Sequence, residues 1–193
     1  MEKSLRYDVF ISGKFVDLFV LTEEHALHTD WYNWFNDAET MQYMEHHRFP
    51  NTPAKQLEYF KTALENSPKR LQFGIMDKNK VFIGIVSLSN IDYISQKAEV
   101  AIVIGDKKYQ KVHYSVEAMS LLIEHAFFSL NLHRVHAASA SKWICDFWIR
   151  MLKFTYEGMF RQYLYKDGVF HDCYICSILR DEFRPFKFEK ENL

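Results

Sequence analysis

"AEVAIVIGDKKYQKVHYSVEAMSLLIEHAFFSL", Ala98 to Leu130, decides how the rest of the chain is read. A β-branched apolar run up to Ile104 reads as a strand, and Gly105 opens a polar loop. From Ser115, taken as N-cap, apolar residues recur at helical spacing through Ala118, Leu121, Leu122 and Ala126. "LHRVHAAS" follows as another strand, so strand, helix and strand make one crossover unit. In such a unit a ligand is expected beyond the C-terminal end of the first strand, against the positive end of the helix.

Upstream, "RLQFGIMD" and "KVFIGIVSLSNID" precede "KAEVAIVIGD" with short polar turns between them, the pattern of an antiparallel meander. "GKFVDLFVL" reads as a first strand, and "TEEHALHTDWYNWFND" as a helix capped by Thr22. A short helix is expected around "AETMQYM", and Thr52, after the break at Pro50, caps "AKQLEYFKTALENS". Downstream, "KWICDFWIRMLK" reads as a helix, and "FTYEGMFRQYLYKDG" and "VFHDCYICSILRDEF" as strands. This order predicts a mixed-direction α/β sheet in one domain over residues 1–193, with 184–193 as a loose tail.

With 193 residues and 48% hydrophobic content, the chain can bury one sizeable core. Its formal net charge of −1 gives no electrostatic reason to expect nucleic acid or an anionic membrane as partner. The N-terminus lacks an apolar secretory region, and no segment is long and apolar enough to span a bilayer, so a soluble cytoplasmic protein is expected. Cys145, Cys173 and Cys176 are an odd set that suits reduced thiols. "CYIC" lies in an alternating run whose residues three apart point to opposite faces, so no metal is expected there.

Taken together, "GKFVDLFVLTEEHA", "WFNDAETMQYM", "FGIMDKNKVFIGIVSLSNID", "AEVAIVIGDKKYQK" and "EAMSLLIEHAFFSLNLHRVHA" resemble the GNAT superfamily of N-acetyltransferases. The likeness is greatest to the branch of ribosomal-protein and amino-sugar acetyltransferases. It implies a mostly antiparallel central sheet with helices on both faces and acetyl-CoA as co-substrate, without a metal. It also implies a small amine acceptor, with a nucleotide-linked amino sugar preferred and a protein N-terminal amine as the alternative.

The family's phosphate-loop signature, Gln or Arg, two residues, Gly, one residue, then Gly or Ala, falls on Gln110, His113 and Ser115. By resemblance Gln110, Lys111, Val112, His113, Tyr114 and Ser115 hold the CoA phosphates, through main-chain N–H groups at the helix start. A Cβ at His113 costs about 1–2 kcal/mol if that slot is left-handed, while Lys107, Lys108, Lys111 and His113 add positive charge. The resemblance sets Ile102, Val103 and Ile104 along the pantetheine, together with Lys142 and Trp148. The slots for Asn, for Ser or Ala, and for an acidic Tyr hold Lys142, Cys145 and Ile149, and Lys153 replaces a glycine. A relative that keeps the fold as a binding module, without catalysis, stays open as a second class.

Glu99, at the acidic position of the "AEV" strand start, is the expected base for the acceptor amine. His46 and His47 in "MEHHRFP", and Asn90 and Tyr93 at the end of the preceding strand, are candidate acceptor contacts. His125, His133 and His136 are assigned to packing. Edge strands make a homodimer the expected assembly.

Overall fold

A computed structural model of the chain describes residues 5–44 and 49–187. Eight strands form one sheet in the order β1-β2-β3-β4-β5-β6-β8-β7. They are β1 (Val9–Ser12), β2 (Val16–Val20), β3 (Leu71–Asp77), β4 (Phe82–Asp92), β5 (Lys97–Ile104), β6 (Arg134–Ser139), β7 (Thr155–Lys166) and β8 (Val169–Leu179). All neighbouring pairs are antiparallel except β5 and β6, which run parallel.

The expected meander is β3–β5, and the crossover unit is β5, α4 (Val112–Phe128) and β6. Helices α4 and α5 (Lys142–Leu152) bury Val116, Met119, Leu122 and Trp148 against Leu18, Ile75, Val86 and Val100 on one face. On the other face α1 (Glu23–His28), α2 (Trp31–Trp34) and α3 (Pro53–Tyr59, continued by a π turn over Phe60–Leu64) pack Trp31, Trp34 and Phe60 against Phe19, Met76, Ile85 and Val103. Helices therefore cover both faces, as the resemblance implied.

Several local readings need correction. The stretch from Thr22 to Asp37 makes two helices, because the Thr29 hydroxyl donates to the His25 carbonyl at 2.6 Å and accepts from the Trp31 amide at 3.3 Å. "AETMQYM" forms turns: the Asp37 carboxylate accepts the Thr40 amide at 2.7 Å and closes the chain before a helix can propagate. Strand β1 was not foreseen, being four residues long with most of its side chains exposed. Helix α4 begins at Val112 with Lys111 as N-cap, so Ser115 lies inside the first turn, its hydroxyl donating to the Val112 carbonyl at 3.1 Å. Of the stretch read as a loose tail, 184–187 are described, and there the Phe186 amide donates to Ser120 Oγ at 3.0 Å.

Candidate active site

Strands β5 and β6 pair only over Lys97–Glu99 and Arg134–His136, and then diverge. Beyond Glu99, β5 keeps its ladder to β4 as far as Ile104, while its other edge has no strand beside it. The wedge opens into a cleft of about 1230 Å³ bordered by β3–β6, β8, α3 and α5. Above it Lys166, near the end of β7, donates to the carbonyls of Met41 and Met44, tying the C-terminal hairpin to the turn before α3.

Register explains why this part of the sheet is polar. On the α1–α3 face, Ile85 and Val103 pair under the helices, while Ser87 pairs with Ala101 and with Gln72, and Ser89 pairs with Glu99. Glu99 is in turn opposite His136, and His136 opposite Ser177, so a polar row crosses four strands where the helical cover stops. Same-face cross-strand neighbours lie about 5 Å apart, close enough to act on one small molecule.

Within this row Asn90 Nδ2 donates to Glu99 Oε2 at 3.1 Å, which fixes the carboxylate. His136 was missed as a site residue. Burial lowers its pKa, against a smaller opposing pull from Glu99, so the ring is neutral at pH 7. Its buried Nδ1 meets no hydrogen-bond partner among the described residues. Glu157 is a poorer proton acceptor. Its carboxylate forms a two-pronged pair with Arg134 and accepts from Ser177 Oγ at 2.8 Å, and the Arg134 bond holds its pKa below the usual range.

Among the predicted site residues, Glu99, Asn90, Ile102, Val103 and Trp148 line the cleft. Ile104 does not, and its carbonyl accepts from Gln110 Nε2 at 3.1 Å. Tyr93 is exposed on the β4–β5 turn and lies outside the cleft lining. Lys142 starts α5 and pairs with Asp146 at 2.7 Å instead of facing the cleft. His46 and His47 lie outside the described residues, between Met44 and Phe49, which do line the cleft.

The loop from Gly105 into α4 has a different construction from the one its sequence suggested. A Cβ on Gly105 would meet the Trp34 ring at 1.9 Å, so this glycine serves packing. His113 sits in the helical first turn and is not among the residues with positive φ, so no left-handed penalty arises. Its ring packs on Phe15 and Tyr114, with centroids at 5.0 and 4.1 Å, and burial followed by Lys111 lowers its pKa. It therefore adds no charge at neutral pH. Lys107 is engaged by Glu39 and Asp37 at 2.7 and 3.1 Å, while Lys108 and Lys111 form no ion pair among the described residues. Because Lys111 offers no capping oxygen, the helix start remains suited to an anion.

Two further features bear on chemistry. Burial pushes the pKa values of the Cys145 thiol on α5 and the Cys176 thiol on β8 up, so neither is a ready nucleophile. Among the described residues no group of three or more His, Cys, Asp or Glu could hold a metal ion.

Comparison with known proteins adds the family. A family model described as an acetyltransferase (GNAT) domain matches residues 18–142. An uncharacterised N-acetyltransferase, p20, of Bacillus licheniformis is 29% identical over 122 residues, 63% of this chain and 67% of that protein. YdaF of Bacillus subtilis (strain 168), named provisionally as a ribosomal N-acetyltransferase, is 31% identical over 54% of this chain, and the match spans only 57% of YdaF. Spermidine N-acetyltransferase from Vibrio cholerae, solved with CoA and spermine, has the same fold: TM-score 0.78 at 21% identity, covering 86% of this chain and 96% of that one.

Proposed function

This chain belongs to the GNAT acetyltransferase family, and from that premise we propose that it transfers an acetyl group from acetyl-CoA to the primary amine of a small polar acceptor held at the Glu99–His136 row. The observation that carries the proposal is the polar row at the mouth of the β5–β6 wedge. The residues fit the co-substrate: an uncapped α4 first turn with Lys108 and Lys111 beside it for phosphates, and the open β5 edge at Ile102 and Val103 for the pantetheine arm. When bound, acetyl-CoA supplies an activated thioester.

The chain's own part is positioning and proton transfer. An attacking amine must be neutral, so a group in the acceptor pocket has to take up its proton. Glu99, held by Asn90, does this, with the His136 ring opposite it across the β5–β6 ladder as a second acceptor. Main-chain groups on the β5 edge orient the carbonyl that is attacked. Among acceptors we favour a nucleotide-linked amino sugar, on the resemblance of "WFNDAETMQYM" and "LSNIDYISQKAEVAIVIGD" to that branch. The likeness to YdaF makes a ribosomal-protein N-terminal peptide the comparison substrate. The homodimer and the cytoplasmic setting remain part of the same reading; β7 exposes Tyr156, Phe160, Tyr163 and Tyr165, and sedimentation velocity reads the assembly directly.

The test is steady-state acetyl transfer by Glu99→Gln, with acetyl-CoA affinity measured separately. Loss of a positioned base should lower kcat by about 10²-fold or more while acetyl-CoA binding is unchanged. Unaltered turnover removes Glu99 from the base role. Absence of acetyl-CoA binding in the unmodified protein would favour the non-catalytic binding module.

A further inference from the structure

Four buried side-chain nitrogens without a hydrogen-bond partner among the described residues belong to His25, Gln56, Gln72 and His136, besides the Trp31 indole, and three of these four line the cleft. His136 is accounted for by the acyl-transfer reading. The two glutamines are not. Gln56 is 2% exposed; its Oε1 accepts from Asn51 Nδ2 at 2.8 Å, which leaves Nε2 as an unanswered donor. Gln72 is arranged alike, Oε1 accepting from the Tyr59 hydroxyl at 3.1 Å and Nε2 left over.

The Arg70 guanidinium completes the set, stacking over Tyr59 at 5.7 Å and donating to its hydroxyl at 2.8 Å, with no carboxylate partner among the described residues. The charges of the cleft agree in sign: Lys55, Arg70, Lys97 and Arg134 face only Glu99 and Glu157, and Arg134 and Glu157 neutralise each other. The Gln56 and Gln72 amides line the same cleft as the Arg70 guanidinium and meet no acceptor among the described residues, where buried donors are ordinarily satisfied.

We infer that Gln56, Arg70 and Gln72 form a subsite for an anionic group of the acceptor, a phosphate or a carboxylate, so that the enzyme selects amines that also carry negative charge. This rests on the acyl-transfer reading, which sets the amine at Glu99. From Glu99 on β5 to Gln72 on β3 is two strand spacings across and two residues along, roughly 12 Å between backbones, a span that the two side chains and one molecule the size of a charged amino sugar can bridge. A polycation meets the wrong charge here, which separates this chain in specificity from the polyamine acetyltransferase whose fold it shares.

The experiment is calorimetric titration of the full chain, with and without saturating acetyl-CoA, using matched probes. These are glucosamine 6-phosphate, 2-amino-2-deoxyglucuronic acid, neutral glucosamine and spermidine. At least one anionic sugar should bind roughly ten- to a hundredfold more tightly than glucosamine, the range one charge-assisted hydrogen bond supports. The better of the two identifies the anion as phosphate or carboxylate. Arg70→Met keeps the aliphatic stem but removes the guanidinium, and should erase that preference while leaving acetyl-CoA affinity intact. Gln56→Leu should narrow it.

Equal affinity for charged and neutral sugars, tighter binding of spermidine, a preference that survives Arg70→Met, or no binding of either anionic probe at millimolar concentration overturns the inference. Failure of the acyl-transfer reading is seen separately, as absent acetyl-CoA binding, because the probes are also titrated without it.

Discussion

Replacing Glu117 tests how the α4 start, proposed above to hold phosphates, is built. This residue lies in the second turn of α4, 8% exposed, and its carboxylate accepts three main-chain N–H groups from the β1–β2 turn. Oε1 takes the Lys14 amide at 2.8 Å, and Oε2 takes Phe15 and Val16 at 2.6 and 2.8 Å. Bonds to a charged acceptor contribute about 1.5–3 kcal/mol each, and stranding a buried donor costs about 1–3 kcal/mol. In Glu117→Ala only Val16 is stranded in the interior, since the bonds to Lys14 and Phe15 are only part-buried and those amides can turn to water. From the Val16 bond and its stranded amide alone, a loss of about 2.5–6 kcal/mol follows. Glu117→Gln keeps one accepting oxygen for Phe15 and Val16 but sets an NH₂ against the Lys14 amide, for about 1.5–3 kcal/mol. Urea unfolding followed by circular dichroism measures both. Since the Phe15 ring packs on His113 at the helix start, acetyl-CoA affinity should weaken in the same order. If Glu117→Ala lay within 0.5 kcal/mol of the parent, below the lower limit for one such bond, the reasoning would be refuted.

Two further outcomes are expected. Lys153 ends α5 with φ 62°, in the left-handed region, where a Cβ costs about 1–2 kcal/mol and glycine gives back about half through its freer unfolded chain. Lys153→Gly should therefore raise stability by about 0.5–1 kcal/mol, seen as a higher urea midpoint at unchanged slope; a lower midpoint contradicts the assignment. Burial is the largest cause of the lowered pKa of His25, His113, His125 and His136. Each binds its proton less readily folded than unfolded, so the stability they support is complete above the unfolded value near 6.5 and falls as pH drops through it toward the folded values. The slope for each is at most about 1.4 kcal/mol per pH unit. Thermal melts between pH 7.5 and 5.5 should shift down with acid, and a flat or rising Tm is the contrary result.

Much of the sheet was legible because its strands are mostly apolar runs: "KVFIGIVSLSNID" and "KAEVAIVIGD" have no other use for so many β-branched residues, and "RLQFGIMD" before them is bounded by polar turns. The site was legible only in part. Glu99, named by resemblance, lines the cleft, but His136 sits in the mainly apolar β6, and its neighbour across the ladder is set by a parallel pairing that spans a whole helix. One signal was present and unused: along β4 the residues of one face change from Ile85 to Ser87 and Ser89, marking where helical cover ends and the cleft starts. Glu117 reads as an ordinary polar helix position, because the amides it holds are 101–103 residues away. His113 misled in the opposite direction: glycine in the family pattern suggested a strained slot, whereas the chain here simply begins its helix earlier.

The short β5–β6 ladder also has a mechanical meaning. From β1 to β5 every strand lies beside its neighbour in sequence, and β6, β8 and β7 make a second block, so the molecule is two leaves sharing α4 as a spine and three paired residues as a hinge pin. The gap that admits a ligand is thus the seam with the fewest cross-ties, and whatever lies along the open β5 edge stands in for the missing length of strand. An occupant bonded to both leaves acts as a brace, so amide exchange along β5 beyond Glu99 and along β6 should slow together when the cleft is filled.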